Sequence, residues 1–292
     1  MLTDQATSSS KQPPTPIKIY LIAVSLAFLS TIPVHGGSAT PPIPVEGYRL
    51  VWSDEFDGES LDSLRWGYRT DSKMWSTQKP ENVGVSHGLL RIVVQKAESG
   101  GMHYSGGGVI SRKAFRYGYY EARLKIPPGS GWHTSFWMML HNGKGGTGPD
   151  TACQELDVIE NDSISHYGYG VNIHKWKGAH VPFGGKRVKT PDLAAEFHVY
   201  GCEFTPSMVN YYFDGKLVQS VEVTKAVKKG NVPVDFEHGP QNIWLTSIAS
   251  PLGGTKAVDD TLLPSAAEFD YVRFYEKIPR QENRASDRIS NQ

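Results

Sequence analysis

The stretch Gly-Tyr-Tyr-Glu-Ala-Arg-Leu-Lys-Ile, residues 118–126, places apolar side chains at the even positions from 120 onward and charged side chains at the odd positions from 121 onward. Successive side chains of a strand point to opposite faces, so the stretch predicts a strand with one buried and one exposed face. Further along, β-rich runs at 209–213 and 217–223 flank Asp214-Gly215, a dipeptide typical of tight hairpin turns. The sequence therefore favours antiparallel β-structure.

Turn residues and the scarcity of helical patterns extend this conclusion to most of the chain. The 30 Gly and 19 Pro residues are spread between the β-rich runs, where they suit turns. One segment, 190–196, begins with Thr-Pro-Asp and predicts a single short helix. Many short antiparallel strands with one short helix predict an all-β fold, a sandwich of two curved antiparallel sheets.

The first residues, 1–39, predict a secretory signal peptide and leader. Lys11 and Lys18 precede an apolar run of 14 residues at 19–32, and small residues at 37–39 suit cleavage. A membrane-spanning helix needs about 20 apolar residues, so we expect export with cleavage, and an uncleaved anchor is the alternative. The mature protein would then be secreted, extracellular or periplasmic, without stable membrane insertion.

Composition predicts one large domain at 40–278, followed by a polar tail at 279–292. Lys plus Arg and Asp plus Glu both number 30, so no net charge attracts nucleic acid, and a neutral partner is favoured. We expect a monomer. The two cysteines, Cys153 and Cys202, are too few for a disulfide scaffold, and unpaired thiols are slightly favoured over a bond between them.

Chemistry is indicated by Glu-Leu-Asp-Val-Ile-Glu at 155–160, three acids in a strand-like run. Burying an unpaired carboxylate is unfavourable, so such acids need a partner or a function. Alternation places Glu155 and Asp157 on one face and Glu160 on the other. A β-bulge between Asp157 and Glu160 would return Glu160 to the face of the other two, and bulges are common beside active sites.

With such a bulge, Glu155 and Glu160 can lean together to the separation of about 5 to 5.5 Å that retaining glycosidases use. The charge of Asp157 between them opposes ionisation and favours one protonated Glu. On spacing alone, a Ca²⁺ site or a solvated edge strand remains an equal alternative.

Four stretches resemble glycoside hydrolase family 16 between residues 48 and 277. They are Leu-Val-Trp-Ser-Asp-Glu-Phe-Asp-Gly at 50–58, Tyr-Gly-Tyr-Tyr-Glu-Ala-Arg at 117–123, Ser-Phe-Trp-Met-Met at 135–139 and Phe-Asp-Tyr-Val-Arg-Phe-Tyr at 269–275. They occur in the family's order. The resemblance implies a jelly-roll β-sandwich whose concave face holds a polysaccharide cleft with the acidic strand at its floor.

The resemblance also implies roles for the three acids. Glu155 would be the nucleophile and Glu160 the general acid/base, with Asp157 assisting. Their spacing matches the bulged, laminarinase-like branch, which includes several marine galactan hydrolases. The implied reaction is retaining double displacement by an endo-acting hydrolase, without a cofactor.

The implied substrate is a β-linked polysaccharide, and β-1,3-glucan of the laminarin type is the first expectation. The residues at 161–162 and 241–247 depart from the usual laminarinase pattern, so an agar- or carrageenan-type galactan or another β-glucan is the alternative. A sulfated chain would need basic groups in the cleft. The basic groups could come from Lys175, Lys177, Lys186 and Arg187, and the alternative is that these are solvated loop charges. From a different class, the same sandwich could be a lectin-like module that binds sugar without cutting it, and transglycosylation is a third possibility.

Aromatic side chains are predicted to bind the sugar, since an indole offers a large contact area to the apolar face of a sugar ring. We expect Trp132, Trp137, His174 and Trp176 to contact substrate, because they flank the acidic strand and, in the resembling family, an aromatic residue or His at such positions often lines the central subsites. The alternative for each Trp is ordinary packing in a β-sandwich core, and for His174 it is an ordinary core or surface position.

Two further predictions concern metal and glycan. The resemblance implies a structural calcium ion at Asp270, with Gly88 at a matching turn, although a hydrogen-bonded strand acid is an equal alternative. The residues Asn161-Asp162-Ser163 form a glycosylation sequon, which we expect to be unmodified because a glycan there would block the cleft.

Overall fold

The computed structural model describes residues 43–140, 154–161, 164–176, 180–225, 227–229, 232–234, 236 and 238–279. The predicted leader, most of the predicted tail, Cys153 and Lys177 lie outside these residues. The domain boundaries therefore stay predictions. No helix of the described part is both long enough and apolar enough to cross a bilayer.

Strands make up most of the described chain. The strands are β1 Tyr48–Asp54, β2 Trp66–Tyr68, β3 Ser72–Lys73, β4 Ser76–Gln78, β5 Val83–Ser86, β6 Leu89–Ser99, β7 Met102–Phe115, β8 Gly118–Lys125, β9 Trp132–Met139, β10 Gln154–Glu160, β11 Gly168–Lys175, β12 Val181–Lys189, β13 His198–Phe204, β14 Met208–Phe213, β15 Lys216–Glu222, β16 Val227–Lys229, β17 Val232–Val234, β18 Gln241–Ala249 and β19 Ser265–Lys277. Single turns of 3₁₀ helix lie at Pro80–Asn82, Leu252–Gly254 and Asp260–Leu262.

Two antiparallel sheets form a sandwich. The front sheet has the order β2-β7-β18-β9-β10-β11-β12. The back sheet has the order β5-β6-β19-β8-β13-β14-β15, and β1 pairs with the second half of β19 beyond the end of β6. The small strand β4 adds to β7 in parallel. The predicted sandwich of two antiparallel sheets is confirmed.

One hydrophobic core lies between the sheets and contains side chains from both. Phe136 and Leu156 of the front sheet share it with Tyr120, Ala122 and Leu124 of the back sheet, and all five are fully buried. Aromatic and branched side chains from the inner faces of both sheets fill this space, as expected for a sandwich. Cys202 is a free, buried thiol in the same core.

The strand predicted from alternation, β8, is buried on both faces, so the expected exposed face is wrong in part. Glu121 is only 2% exposed, and Tyr119 donates a hydrogen bond to its carboxylate at 3.3 Å. Burial raises the pKa of Glu121 above its ordinary value. A central strand has neighbours on both sides, and long side chains from those neighbours cover its outer face.

The predicted helix at 190–196 is also wrong, because these residues form a turn. The carboxylate of Asp192 accepts a hydrogen bond from the backbone N–H of Ala194 at 2.9 Å. The backbone N–H of Leu193 donates to the carbonyl of His166 at 2.8 Å. Local side-chain bonding of Asp competes with helix formation, and the buried Leu193 holds the turn against the preceding segment.

Candidate active site

A β-bulge at Val158 positions the acids of β10. On the β9 side, Asp157 pairs with Trp137 and Ile159 with Phe136, so the ladder skips Val158. Val158 and Ile159 both enter the core, with 1% and 0% exposure. The predicted bulge is therefore present, and it returns Glu160 to the face that carries Glu155 and Asp157.

That face forms the floor of a cleft with a volume of about 310 Å³. Glu155, Asp157 and Glu160 all line it. The other lining residues are Arg69, Lys73, Met74, His133, Ser135, Trp137, Met139, His174, Trp176, His180, Thr246, Ile248 and Leu252. Strands β9, β10, β11 and β18 thus supply the floor, and the segments at 69–74 and at 252 border it.

Glu155 is held by an indole. Trp176 Nε1 donates a hydrogen bond to Glu155 Oε2 at 2.8 Å, which fixes one carboxylate oxygen. Burial and the charge of Glu160 raise the pKa of Glu155, and the neighbouring His174, Trp176 and Asp157 offset part of this. Trp176 thus orients this carboxyl group, and Glu155 lines the cleft.

Asp157 is the most deeply buried of the three acids. Its side chain is 2% exposed, and Oδ2 lies 3.3 Å from His174 Nε2. Burial and the charges of Glu160 and Glu155 raise the pKa of Asp157 well above its ordinary value. Asp157 also shares a hydrogen bond with Glu155. A protonated Asp157 can therefore donate to Glu155, which favours the ionised, nucleophilic form of Glu155.

Glu160 contacts a histidine that projects from β9. His133 Nε2 lies 3.5 Å from Glu160 Oε1, and both side chains line the cleft. Burial raises the pKa of Glu160, but the hydrogen bond and charge of His133 with the charge of His174 outweigh burial, so the pKa lies below its ordinary value. The pKa of Glu155 is thus raised and that of Glu160 is lowered. These directions are the reverse of what an ionised nucleophile and a protonated general acid require, so the roles of the two acids are not assigned from these pKa shifts.

We predict that Asp157→Asn stabilises the protein at neutral pH. A carboxyl whose pKa is raised by folding binds its proton more tightly in the folded state, so its contribution is present below its ordinary pKa of 3.8 and is lost as the pH rises above that value. A neutral amide cannot ionise. Urea unfolding between pH 4 and pH 8 should give the variant an advantage that grows with pH, to about 1 kcal/mol or more at pH 7. Identical stability curves at all pH values would contradict this.

The structure brings three of the four predicted sugar-binding residues into the cleft. The ring of Trp137 stacks on Trp244 with centroids 4.6 Å apart. The rings of His174, Trp176 and His180 stack mutually, and the centroid of His180 lies 5.1 Å from that of His174 and 4.0 Å from that of Trp176. These rings form one aromatic wall beside Glu155. Their contact with substrate stays a prediction.

Trp132 is placed elsewhere. It is 1% exposed and packs in a separate apolar cluster with Val94, Ala249 and Val258, and it does not line the cleft. Since side chains alternate along a strand, Trp132 and Trp137 lie on opposite faces of β9. That alternation was a signal in the sequence that only one of the two could face the sugar.

Several cleft residues were not found from the sequence. His133 shares a face of β9 with Ser135 and Trp137, so alternation could have identified it. Arg69 and His180 follow no local pattern, and only the fold brings them to the acids. The basic residues that the sequence suggested for binding a sulfated chain do not line this cleft. They are Lys175, Lys186 and Arg187.

The residues at the predicted calcium site do not favour a bound metal. Arg123 Nη1 donates to Asp270 Oδ2 at 2.5 Å, so this carboxylate already has a cationic partner. Gly88 occupies the turn between β5 and β6 with φ of +71°. In the described part of the chain, one group of acidic or His side chains has ligand atoms all within 4.8 Å, and that group is Glu155, Asp157 and His174. Calcium at Asp270 and Gly88 stays a prediction.

The predicted sequon residue is engaged in the fold. Asn161 is 4% exposed, and its side-chain nitrogen donates to the carbonyls of Ser165 and Gly168 at 2.9 and 3.4 Å. A glycan needs this nitrogen and open space around it. The geometry agrees with an unmodified Asn161.

Comparison with known proteins agrees with this geometry. The family model described as "Beta-porphyranase A-D, GH16 domain" matches residues 50–277. β-Porphyranase B of Phocaeicola plebeius is 30% identical over an alignment 294 residues long, which includes 82% of this chain and 89% of that protein. The β-glucanase of Rhodothermus marinus is 26% identical over 249 residues, which cover 78% of this chain and 85% of that protein.

A solved structure is similar over the same region. SCLam, a non-specific endo-β-1,3(4)-glucanase from family GH16, has a TM-score of 0.68 and 28% identity, covering 80% of this chain and 92% of its own. The similar proteins thus include both glucan-cleaving and porphyran-cleaving enzymes.

Proposed function

The chain belongs to glycoside hydrolase family 16, and we propose that it is an endo-acting, retaining glycosidase whose substrate is a sulfated β-linked galactan of the agar type. Membership of a glycosidase family favours cleavage over the lectin-like alternative. The observation that carries the choice of substrate is the buried guanidinium of Arg69 in the cleft.

The acids perform a double displacement. Glu155 attacks the anomeric carbon while Glu160 protonates the departing glycosidic oxygen, and a covalent glycosyl-enzyme forms. Glu160 then removes a proton from water, which displaces Glu155 with overall retention of configuration. Asp157 donates its hydrogen bond to Glu155 before attack and after release. Every step uses side chains alone, so we propose that catalysis needs no metal or cofactor.

Arg69 is arranged to bind an anion. It is 3% exposed, and Asp71 holds its Nε and Nη2 at 2.6 and 3.0 Å. Asp71 is the one hydrogen-bonding partner that the described residues offer this guanidinium, so Nη1 is available to a ligand. A fixed guanidinium fork suits sulfate oxygens, and Lys73 adds a second cation at the same border. A neutral glucan would offer no anion to the Nη1 group of Arg69.

A neutral β-1,3-glucan is the second candidate, and the likeness to an endo-β-1,3(4)-glucanase favours it. The aromatic wall of Trp137, Trp176 and His174 suits either sugar. Incubating the enzyme with porphyran, agarose, κ-carrageenan, laminarin and mixed-linkage glucan, and measuring new reducing ends, separates the two. Release from laminarin alone would overturn the proposal for a sulfated galactan.

We predict that Arg69→Met lowers kcat/KM for porphyran by about 10- to 100-fold, since hydrogen bonds to charged groups contribute about 1.5 to 3 kcal/mol. Arg69→Lys should recover only part of the loss, because lysine keeps the charge and loses the fork. Activity on desulfated porphyran should change little. Arg65→Met is the matched control, since Arg65 also pairs with an Asp, at 3.2 Å, but lies outside the cleft. Equal losses with and without sulfate would contradict the role of Arg69.

We also propose that the protein is exported. The support is the apolar run at 19–32 after Lys18, followed by small residues at 37–39. A polysaccharide is too large to enter a cell, so its hydrolase must meet it outside. N-terminal sequencing of the mature protein tests this, and a chain that keeps residue 1 would overturn cleavage.

A further inference from the structure

We propose that His133 is a positioning residue that donates a hydrogen bond to one oxygen of Glu160 and so directs the other oxygen, which carries the catalytic proton, toward the glycosidic bond. The inference rests on the glycosidase activity and on the role of Glu160 given above. It goes beyond them, because it states how the acid is aimed.

The first support is location. His133 lies on β9 two residues before Ser135, and Ser135 pairs directly with Glu160 across the β9–β10 ladder. His133 and Glu160 both line the cleft, with side chains 8% and 28% exposed. The strands therefore fix both backbones, and the imidazole reaches the carboxyl from the side of β9.

The second support is that the two ring nitrogens of His133 differ in their contacts. Nε2 lies 3.5 Å from Glu160 Oε1, whereas Nδ1 is buried and has no hydrogen-bonding partner among the described residues. A buried N–H without an acceptor is unfavourable, so the hydrogen belongs on Nε2. The ring is then a donor toward Glu160. The distance is long for a hydrogen bond, and such contacts commonly shorten when substrate closes the site.

The consequence concerns which carboxyl oxygen holds the proton. An oxygen that accepts from Nε2–H is the poorer site for a second hydrogen, so the acidic proton of Glu160 belongs on Oε2. In the second step the same bond stabilises the carboxylate that accepts a proton from water. Removing the donor leaves the carboxyl free to rotate, and misplacement of a catalytic group by about 1 Å can lower the rate by about 100-fold.

Other charged groups face this pair and bear on its pH dependence. They are Glu155 and Asp157 on β10, His174 on β11, His180 directly before β12, and Arg69 and Lys73 at the border of the cleft. Of these, His174 also lowers the pKa of Glu160. The test must therefore leave these groups in place and change His133 alone.

Two amide variants provide this test. The amide nitrogen of Gln can occupy the place of Nε2, and the shorter Asn places its nitrogen near Nδ1, the atom without a partner. The test is to measure kcat/KM of wild type, His133→Gln and His133→Asn between pH 4 and pH 9. One substrate is the polysaccharide that wild type cleaves fastest, and the other is a dinitrophenyl glycoside of the same oligosaccharide, whose departure needs no proton.

We expect His133→Gln to stay close to wild type and His133→Asn to lose about 10- to 100-fold on the polysaccharide. On the dinitrophenyl glycoside, the first chemical step of the Asn variant should be nearly unchanged. For the Asn variant on the polysaccharide, the pH at which kcat/KM falls on the alkaline side should be higher than for wild type, because the hydrogen bond that lowers the pKa of Glu160 is gone.

Two results would overturn the proposal. One is equal activity of the Gln and Asn variants on the polysaccharide, which would mean that the donor at Nε2 has no role. The other is an equal loss on both substrates with an unmoved alkaline limb, which would indicate a structural role alone. Circular dichroism and thermal unfolding of both variants show that they are folded, and inactive wild type would instead count against the proposed function.

Discussion

Glu155→Gln is expected to abolish turnover, with a loss of roughly 10⁴-fold or more, because the glycosyl-enzyme can form only with an ionised nucleophile. The amide keeps the size of the carboxyl group, and its oxygen can still accept the hydrogen bond from Trp176 Nε1. The fold and the affinity for substrate should therefore be retained. Turnover is checked by measuring kcat, the fold by circular dichroism, and substrate affinity by calorimetric binding of an oligosaccharide.

Glu121→Gln is the matched control for this variant. Glu121 is also a buried glutamate with a raised pKa, but it lies on the outer face of β8 in the back sheet. Its replacement should leave kcat unchanged. Substantial turnover by Glu155→Gln, or an equal loss in both variants, would require another nucleophile.

Glu160→Ala should give the second largest effect, and its character depends on the substrate. On a polysaccharide the loss of the general acid should lower kcat by about 100- to 10,000-fold. On a dinitrophenyl glycoside the first step should proceed, and the glycosyl-enzyme should accumulate because no base activates water. Sodium azide should then restore turnover, since the anion attacks without a base.

The configuration of the azide product identifies the residue that was removed. If Glu160 is the acid/base, azide displaces Glu155 and the product is the β-glycosyl azide, with configuration retained. If Glu160 were instead the nucleophile, azide would attack the substrate directly in the vacant space and give the α-glycosyl azide. Nuclear magnetic resonance of the product distinguishes the anomers, and the α product would reverse the two assignments.

The prediction of the acidic strand succeeded because strand geometry is local. Alternation alone places Glu160 on the wrong face, and the need to bring three carboxylates together predicted one extra residue. The structure has that residue at Val158, which enters the core beside Ile159. The same rule applied to β9 would have separated Trp132 from Trp137. The failed helix at 190–196 shows the opposite case, where contacts of Leu193 and Asp192 with a distant segment override a local signal.

Proximity to the acids along the sequence did not predict which basic residues line the cleft. The sequence directed attention to Lys175, Lys186 and Arg187, which are close to the acids along the chain. Arg69, which lines the cleft together with Lys73, lies on a segment that precedes the acidic strand by many residues. Its side chain reaches the cleft because Asp71 holds the guanidinium in place. No pattern within 69–74 specifies that arrangement.

The sequence by itself determined the strands, the sandwich and the alignment of Glu155, Asp157 and Glu160, because side-chain direction in a strand follows from the backbone repeat. The tertiary structure decided which groups surround those acids. His133 meets Glu160 because β9 and β10 pair in a particular register, and Arg69 meets the cleft because β2 joins the same sheet. Such contacts depend on packing between distant segments, and they set the pKa values and the charge that a substrate encounters.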